Sequence, residues 1–309
     1  MTMNMINSLE SLIPKYPAVS VALGTFDGVH IGHQSVIRRT VDWACENLGT
    51  SVVFTFSNHP LSLIHPNRVP PQLLTQNDKA TLIRELGVDL LVAVPFTQEL
   101  LVMPPEEFIT LLQDRLNPKH IIVGPNYSYG KDAAGSPETL RATAQTIGME
   151  TEIAPFVVQD GLQVSSTLIR RLVSGGEVAR AARMLGRRYS LSGEIIPGDG
   201  RGRTLNFPTA NMKVARELIL PGKGVYAVYV EIEGATHNAL CNVGINPTFR
   251  TGEVRVESHL LDFDGDLYGK RTTVHFIERL RDEKAFPDKE ALILQIQNDV
   301  MMARSQFFS

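Results

Sequence analysis

Two histidines three positions apart lie in a short glycine-rich stretch that could bind a phosphate. The stretch, GTFDGVHIGH (24–33), carries His30 and His33 and follows the apolar run AVSVAL. A glycine-bearing turn from a strand into a helix exposes backbone N–H groups beside the positive end of the helix dipole, which attracts anions. Imidazoles about one turn apart can both donate to oxygen atoms of one phosphate and stabilise charge during its transfer. The spacing therefore favours phosphate chemistry.

Two other interpretations of this histidine pair stay open. A zinc site could recruit His59 and His65. However, zinc-binding histidines on a helix more often stand four positions apart, and the sequence offers no obvious third ligand. Alternatively, the two side chains could cap and pack the start of the helix. The residues alone do not decide among these three interpretations.

Four apolar runs in the first half of the chain are typical of buried strands. The segments between them carry apolar residues at the spacing of a helix. They are AVSVAL (18–23), SVVFTF (51–56), DLLVAVPF (89–96) and KHIIVG (119–124). Such strands, alternating with helices, indicate a parallel sheet covered on both faces, so residues 1–185 are predicted to form a doubly wound α/β domain. Ligands of such domains gather at the carboxyl ends of the strands. The segments at these ends are GTFDGVHIGH, FSNHP (56–60) and GPNYSYGKDAAG (124–135).

Regular short strands without intervening helices begin near residue 186. The strand-like segments are YSLSGEII, GVYAVYVEIE, HNALCNVGI, VRVESHLLDF and KRTTVHFIERL, separated by turns such as PGDGRG and DFDGDLYG. This rhythm predicts a small antiparallel barrel or sandwich in residues 186–309. Apolar residues at helical spacing predict a final helix from about Asp288 to Met302.

The composition is that of an ordinary globular protein and excludes several classes. At 309 residues the chain has room for two domains, and its net charge of −3 lacks the basic footprint of a nucleic-acid binder. Cys45 and Cys241 are isolated, so neither a disulfide framework nor a thiolate zinc site is indicated. The start has no signal-peptide pattern, and apolar runs such as LLVAVPF are too short to span a bilayer. We expect a cytoplasmic protein without membrane segments.

The histidine stretch resembles a known signature. GTFDGVHIGH is similar to the HxGH motif of the nucleotidylyltransferase superfamily, in the GxFDGxHxGH form of bacterial FAD synthetases. VSSTLIR (164–170) is similar to the second motif of that superfamily, ISSTxIR. In this segment Arg170 and Arg171 are expected in or near the first turn of a helix, where cations oppose the helix dipole unless an anion binds. Capping hydroxyls with outward-facing arginines are the alternative interpretation of the segment.

This resemblance implies a set of site residues in the first domain. It implies that His30, His33 and Arg170 act on the transferring phosphate. It further implies ATP binding by Gly24, Phe26, Asp27, Gly32, Ser165, Ser166 and Thr167.

A third segment resembles the flavin-binding loop of the same family. GPNYSYGKDAAG looks like the pattern G-x-(D/N)-F-x-F-G with tyrosines at 127 and 129, and it implies flavin binding by Asn126, Tyr127 and His59. FSNHP departs from the family, which usually has an acid and a proline where this chain has Ser57 and Asn58. If that acid places substrate or metal, its loss would weaken the first activity.

The second half resembles riboflavin kinase. GDGRGRTLNFPTAN (198–211) matches a glycine-rich segment that ends in PTAN, except that Asn206 replaces the usual glycine. Further motifs follow in the order of that family: GVYAV, NVGINPTF, VESHLLDF, DLYG and RDEKAF. Several motifs in register make this resemblance specific.

The kinase resemblance implies a second set of site residues. Thr209 and Asn211, two apart in an extended segment, would hold Mg²⁺, with Mn²⁺ as the alternative metal. Glu257 would be the general base for the riboflavin hydroxyl, and Arg281 would contact the flavin. The residues implied to bind ATP are Gly198, Gly200, Gly202, Arg203 and Pro208. A plain hairpin turn, a solvated carboxylate and a surface arginine are the corresponding structural alternatives.

Together the resemblances imply a bifunctional enzyme that phosphorylates riboflavin to FMN and then adenylylates FMN to FAD, using ATP for both steps. Its partners would be riboflavin, FMN and ATP, with neither nucleic acid nor membrane, and self-association is left open. One alternative is a nucleotidylyltransferase that acts on a non-flavin phosphate. Another is a flavin-binding regulatory protein that has lost one activity, for which Ser57, Asn58 and Asn206 are the only indications.

Overall fold

A computed structural model of the chain describes residues 3–13, 16–198, 202, 205–245 and 254–308. Its contacts divide the chain into a first unit, Met1–Ser166, and a second unit, Thr167–Ser309. The domain boundary expected after residue 185 lies within the second unit and stays a prediction.

A six-stranded parallel sheet forms the centre of the first unit. Its strands are β1 (Asn4–Ile6), β2 (Val19–Leu23), β3 (Thr50–Phe56), β4 (Leu90–Val94), β5 (Pro118–Val123) and β6 (Glu150–Ile153), in the spatial order β1-β4-β3-β2-β5-β6. A hairpin of β7 (Val158–Gln159) and β8 (Leu162–Gln163) follows. The four predicted strands are present. The edge strands β1 and β6 were not predicted, because they are short and lack an apolar run.

Helices cover both faces of this sheet. They are α1 (Ile31–Glu46), α2 (Leu61–Ile64), α3 (Gln76–Glu85), α4 (Gln98–Val102), α5 (Pro105–Leu116) and α6 (Pro137–Thr146). Thr75 caps α3 by accepting a hydrogen bond from the Asp78 backbone, and Ser136 forms a capping box at the start of α6. These local signals explain why the helices begin where they do.

The core of the first unit consists of two clusters, one on each face of the sheet. Val21 and Leu23 of β2 belong to the cluster that includes Phe108 and Leu112 of α5. Ala22, between them in sequence, belongs to the cluster that includes residues of α1 and α3. Successive side chains of a strand point to opposite faces, so strands buried on both faces must be apolar throughout. The predicted doubly wound α/β fold is confirmed.

The strand order reverses between β2 and β5. The chain passes from β2 through α1 to β3 on one side, whereas it passes from β5 through α6 to β6 on the other. The segments that leave the two strands, 24–30 and 124–136, therefore emerge side by side at a topological switch point. That is the usual ligand site of open α/β sheets.

The second unit contains a closed antiparallel barrel. Its strands are β9 (Ser190–Ile196), β10 (Ala210–Lys213), β11 (Gly224–Ile232), β12 (Ala235–Ile245), β13 (Val254–Leu260) and β14 (Arg271–Arg281), in the order β10-β13-β12-β11-β14-β9. Because β9 pairs with both β10 and β14, the sheet closes and the sandwich alternative is excluded. The buried aromatic core includes Tyr226 and Phe276, whose rings meet edge to face with centroids 5.3 Å apart.

The helices α7 (Ser166–Ser174), α8 (Val178–Leu185) and α9 (Lys289–Gln306) also lie in the described part of this half of the chain. The predicted final helix is α9, capped by Asp288 and four residues longer than expected at its carboxyl end, at Gln306 instead of Met302. Among the described residues, no helix combines the length and apolar character needed to cross a bilayer.

Candidate functional site

The histidine loop (residues 24–33) connects β2 to α1 through a strained backbone. Phe26 and Val29 have φ angles of +49° and +39°, in the left-handed region that non-glycine residues rarely adopt. For a β-branched residue such as Val29 this conformation is a genuine outlier. Such strain persists only where surrounding contacts impose it, and it is common at binding and active sites.

The two histidine rings of this loop stack on each other. Their centroids lie 3.5 Å apart with 17° between the planes. His30 Nδ1 accepts a hydrogen bond of 3.2 Å from the His33 backbone N–H and thereby caps α1. A neutral ring that accepts at Nδ1 carries its proton on Nε2. The capping interpretation is therefore correct for His30, and Nε2 carries the N–H donor of this ring.

Gly32 permits this arrangement. A Cβ atom at position 32 would lie 3.2 Å from both Cε1 and Nδ1 of the His30 ring, tighter than ordinary contact distance. The glycine of the HIGH sequence therefore lets the imidazole of His30 fold back over the helix start.

His33 is neutral at physiological pH. Burial of the ring lowers its pKa well below the usual value of 6.5, and the neighbouring His30 and Lys79 lower the pKa further. Its Nδ1 atom is enclosed and has no hydrogen-bond partner among the described residues. The loop thus places the neutral imidazole of His33 against the ring of His30, where it can donate to an anion.

The lowered pKa of His33 makes stability depend on pH. Below about pH 6.5 the unfolded chain binds a proton at His33 that the folded chain does not, so stability falls as the pH falls through this value. We expect the unfolding temperature to drop less in His33→Gln than in the parent when the pH is lowered from about 7.5 to about 5.5. Thermal unfolding at both pH values tests this, with the exposed His65→Gln as control. Equal losses in His33→Gln and the parent would contradict the assignment.

A hydrogen bond joins the second signature to the histidine loop. Ser166 Oγ donates to the backbone oxygen of Asp27 over 2.8 Å. The Asp27 carboxylate in turn accepts from the Leu73 backbone N–H at 3.0 and 3.3 Å. Two segments that are far apart in sequence, Asp27 and Ser166, are therefore brought together in the first unit.

The arginines of the second signature lie on α7. Arg170 lies in the middle of this nine-residue helix, and Arg171 lies in its last turn. The prediction that Arg171 opposes the helix dipole is therefore wrong, because cations near the carboxyl end of a helix are favourable. Because α7 has only nine residues, a position five residues after its start already belongs to its last turn.

Asn58 links two strand-end loops. Its Oδ1 accepts from the Phe96 backbone N–H at 2.6 Å, and its Nδ2 donates to the Phe96 oxygen at 3.2 Å. This asparagine therefore ties the carboxyl end of β3 to that of β4. Next to it, His59 Nδ1 accepts from the Leu61 backbone N–H at 3.1 Å, which orients the ring.

The two tyrosines after β5 differ in burial. Their rings stack with centroids 5.7 Å apart, but Tyr129 is only 6% exposed and packs on Phe108 in the core. Tyr127 is half-buried and follows the exposed Asn126. Burial raises the pKa of both phenols, so both stay protonated. Of the two, Tyr127 is the better placed to meet a ligand.

The zinc interpretation finds no support. Within the described ranges, the His, Cys, Asp and Glu side chains form no cluster of three that could hold a metal ion.

In the second unit, five opposed residues form one continuous row across five strands. Neighbours in the row are paired in register: Asn211 with Glu257, Glu257 with Asn242, Asn242 with Val225, and Val225 with Arg281. Directly opposed residues of antiparallel strands point to the same face of the sheet. All five line one cavity of about 460 Å³, together with Leu292, Ile296 and Asp299 of α9. We call this set the barrel row.

Arg281 is held rigidly in this cavity. Its Nε donates to both carboxylate oxygens of Asp299 at 2.9 and 3.1 Å, and Asp299 is 2% exposed. Gln295 Nε2 also donates to Asp299 Oδ1, at 2.7 Å. Asp299 was not predicted as a site residue. Its spacing from the apolar Ile296 and Ala303 places it on the same face of the helix, and an acid on an apolar face could have indicated a buried ion pair.

The predicted metal ligands lie beside Glu257. Asn211 Oδ1 is buried and has no hydrogen-bond partner in the part of the chain that the structure describes. A Cβ at Gly198 would lie 2.1 Å from Asn211 Nδ2, so only glycine allows this asparagine its position. The Glu257 carboxylate is 3.9 Å from the guanidinium of Arg255, which also lines the cavity.

Thr209 borders two cavities. Besides the 460 Å³ cavity, it lines a second one of about 480 Å³, together with Pro208, Asp264 and Tyr268. Gly202 lines the first cavity. Gly200 and Arg203 lie outside the described residues. Asn242, the centre of the barrel row, was quoted within a motif but not predicted as a site residue.

Both halves of the chain match known families. Residues 13–168 match the family model for FAD synthetase, and residues 185–307 match that for riboflavin kinase. The bifunctional riboflavin kinase/FMN adenylyltransferase of Pseudomonas fluorescens is 36% identical over 98% of this chain and 97% of its own. The protein of the same description from Bacillus subtilis is 36% identical over 96% and 95%. A crystal structure titled macrolide-efflux protein from Streptococcus pneumoniae superposes with a TM-score of 0.89, at 30% identity and 98% and 99% coverage.

Proposed function

The chain belongs to the family of bifunctional riboflavin kinase/FMN adenylyltransferases, and from this we propose how its residues divide the work. The enzyme phosphorylates riboflavin with ATP to FMN and adenylylates FMN with ATP to FAD and pyrophosphate. We assign adenylyl transfer to residues 1–185 and phosphoryl transfer to residues 186–309. The matched ranges 13–168 and 185–307 support this division. The barrel row is the observation that carries the kinase assignment.

In the kinase reaction, Glu257 accepts the proton of the riboflavin 5′-hydroxyl as its oxygen attacks the γ-phosphorus of ATP. The new P–O bond forms while the bond to ADP breaks, and Glu257 is left protonated. Arg281, fixed by its bidentate pair with Asp299, contacts the flavin. Leu292 and Ile296, apolar residues that line the 460 Å³ cavity, would contact the isoalloxazine ring.

ATP occupies the second cavity in this proposal. Thr209 borders both cavities, so a γ-phosphate placed beside it lies within reach of a riboflavin hydroxyl in the first. The residues proposed to bind ATP are Gly198, Gly200, Gly202, Arg203 and Pro208. Pro208 lines the second cavity, Gly202 lines the first, and Gly200 and Arg203 lie outside the described part of the chain.

The donor set beside Glu257 fits Mg²⁺. Asn211 Oδ1, a buried amide oxygen with no hydrogen-bond partner among the described residues, and the Thr209 hydroxyl are hard oxygen ligands of the type that Mg²⁺ prefers. Thr209 and Asn211 would therefore hold the ion, with Mn²⁺ as the alternative. When bound, the ion neutralises phosphate charge.

Gly198→Ala is expected to raise the Mg²⁺ concentration that half-saturates FMN formation about 10-fold. The new Cβ would displace Asn211. Loss of the contacts that support a metal ligand costs about 10- to 100-fold in metal affinity. Initial rates of FMN formation against Mg²⁺ concentration at fixed ATP and riboflavin measure this. FAD formation from supplied FMN by the same variant is the internal control. An unchanged Mg²⁺ requirement would overturn the assignment of Asn211.

In the adenylyl transfer, an oxygen of the FMN phosphate attacks the α-phosphorus of ATP and the bond to pyrophosphate breaks. The attacking oxygen is already anionic, so the reaction needs no general base. It needs donors at the transferring phosphate and at the departing pyrophosphate, and His30, His33 and Arg170 supply them. The residues proposed to bind ATP are Gly24, Phe26, Asp27, Gly32, Ser165, Ser166 and Thr167. Those proposed to bind FMN are His59, Asn126 and Tyr127.

A time course with riboflavin, ATP and Mg²⁺, with the flavins separated by chromatography, tests both activities. FMN should appear first and FAD afterwards. FMN alone would mean that the first domain transfers nucleotide to another phosphate or is inactive. Unchanged riboflavin would overturn the kinase assignment.

We also propose a cytoplasmic enzyme, because both reactions consume ATP. Light scattering on the purified protein would show whether it works as a monomer or as a homo-oligomer.

A further inference from the structure

A lysine is buried directly beneath the histidine loop. Lys79 is 6% exposed and lies on the buried face of α3 with Ala80 and Ile83. A lysine is almost never fully buried without partners, and a leucine or methionine would pack there at less cost in free energy. A buried cation at the carboxyl ends of parallel strands, where open α/β sheets bind their ligands, indicates a functional requirement.

The ammonium group of Lys79 joins two site loops. Its Nζ donates to the Thr25 backbone oxygen at 3.3 Å, to Thr55 Oγ1 at 3.4 Å and to the Phe56 backbone oxygen at 3.1 Å. Thr25 belongs to the histidine loop, and Phe56 ends β3 just before the segment that carries His59. An ammonium has three N–H donors, and all three are used within the protein. Lys79 therefore acts through these loops and does not contact the substrate itself.

We propose that Lys79 is a positioning residue for adenylyl transfer, which holds the histidine loop against the carboxyl end of β3. This inference rests on the proposed function of the first domain. The strained backbone at Phe26 and Val29 follows directly after Thr25, so it needs an external anchor of this kind.

The charge of Lys79 also acts on the catalytic histidines. Burial lowers the pKa of Lys79 to about 8, and the nearby Asp27 opposes this shift. The charged and titratable groups that act on His33 are His30 and Lys79, and both lower its pKa. Removal of the ammonium is therefore expected to raise the pKa of His33, an effect that loss of packing alone would not produce.

The test compares Lys79→Met and Lys79→Arg with the parent in FAD formation from FMN and ATP. Lys79→Met should lower kcat about 100-fold, because small displacements of the groups that act on the reacting phosphate cost about this factor in rate. The KM for ATP should change little. Lys79→Arg keeps the charge and the donors and should recover most of this loss. The exposed Lys119→Met is the matched control and should behave as the parent.

Two further readouts separate positioning from folding. FMN formation should stay at the parent rate in Lys79→Met. The variant should still unfold cooperatively above the assay temperature, because methionine fills the space even though the Thr25 and Phe56 carbonyls lose a donor. The ring resonances of His33, identified by their absence in His33→Gln, should titrate at a higher pH in Lys79→Met and as in the parent in Lys79→Arg.

Some outcomes would overturn the inference. A kcat in Lys79→Met within about threefold of the parent, or an arginine variant as slow as the methionine variant, would show that Lys79 positions nothing. If Lys79→Met does not fold, Lys79→Gln takes its place with the same expected loss. A parent that forms FMN but no FAD would overturn the proposed function of the first domain instead.

Discussion

Replacing His33 with alanine is expected to reduce FAD formation about 100- to 1,000-fold, the cost of one lost donor to a charged transition state. The neutral imidazole of His33 stacks on His30 at the start of α1, where both rings can donate to a phosphate bound at the helix amino terminus. FMN formation should stay nearly intact, because the barrel row that carries it belongs to the second unit.

Both rates can be measured on one preparation, with riboflavin or FMN as the supplied flavin. His65→Ala removes an exposed histidine of the same unit and should leave both activities unchanged. His33→Gln retains an amide donor and should recover part of the rate. If FAD and FMN formation fell together in a folded His33→Ala protein, the assignment of two separate sites would be wrong.

Replacing Glu257 with glutamine is expected to reduce FMN formation about 100- to 10,000-fold, the usual contribution of a general base. The amide preserves size but cannot take the proton of the riboflavin hydroxyl. It also leaves the guanidinium of Arg255 without its ion-pair partner, so Glu257→Asp is a useful second variant. FAD formation from supplied FMN should not change.

Glu194→Gln is the matched control for this second prediction. Glu194 lies on β9 of the same barrel, is exposed, and does not line either cavity. A Glu257→Gln enzyme that still makes FMN at the parent rate would mean that another group removes the proton, or that the attacking hydroxyl needs no base.

The sequence by itself determined the doubly wound architecture of the first half, the antiparallel β character of the second half, and most of the loops that we propose to meet the ligands. Strands β2, β3, β4 and β5 were predictable because each is a continuous apolar run, which only a strand covered on both faces requires. The edge strands β1 and β6 were not, since an exposed edge needs no such run. The short β10 was read only as extended, because four residues do not show a period.

The sequence also predicted which local segments would carry chemistry. The histidine loop, the SST segment and the PTAN segment each combine hydrogen-bonding side chains with glycine, proline or a helix start within a few residues. Local backbone geometry, such as the cap that His30 makes on α1, depends on neighbours in sequence and can be inferred from them.

Only the tertiary structure decided which distant residues share a cavity. The barrel row joins Asn211, Glu257, Asn242, Val225 and Arg281 because the register of four strand pairs places them opposite one another. A shift of one residue in any pair would turn part of the row to the other face. Register is fixed by barrel closure and long-range packing, which no local pattern encodes.

Burial of polar side chains was decided in the same way. Lys79 and Asp299 are ordinary charged residues in their helices by sequence, yet both are nearly enclosed, at 6% and 2% exposure. Their burial depends on acceptors and donors supplied by other segments, the Thr25 and Phe56 carbonyls for Lys79 and the Arg281 guanidinium for Asp299. A charge can be buried only where such partners converge, and their convergence is a property of the folded chain.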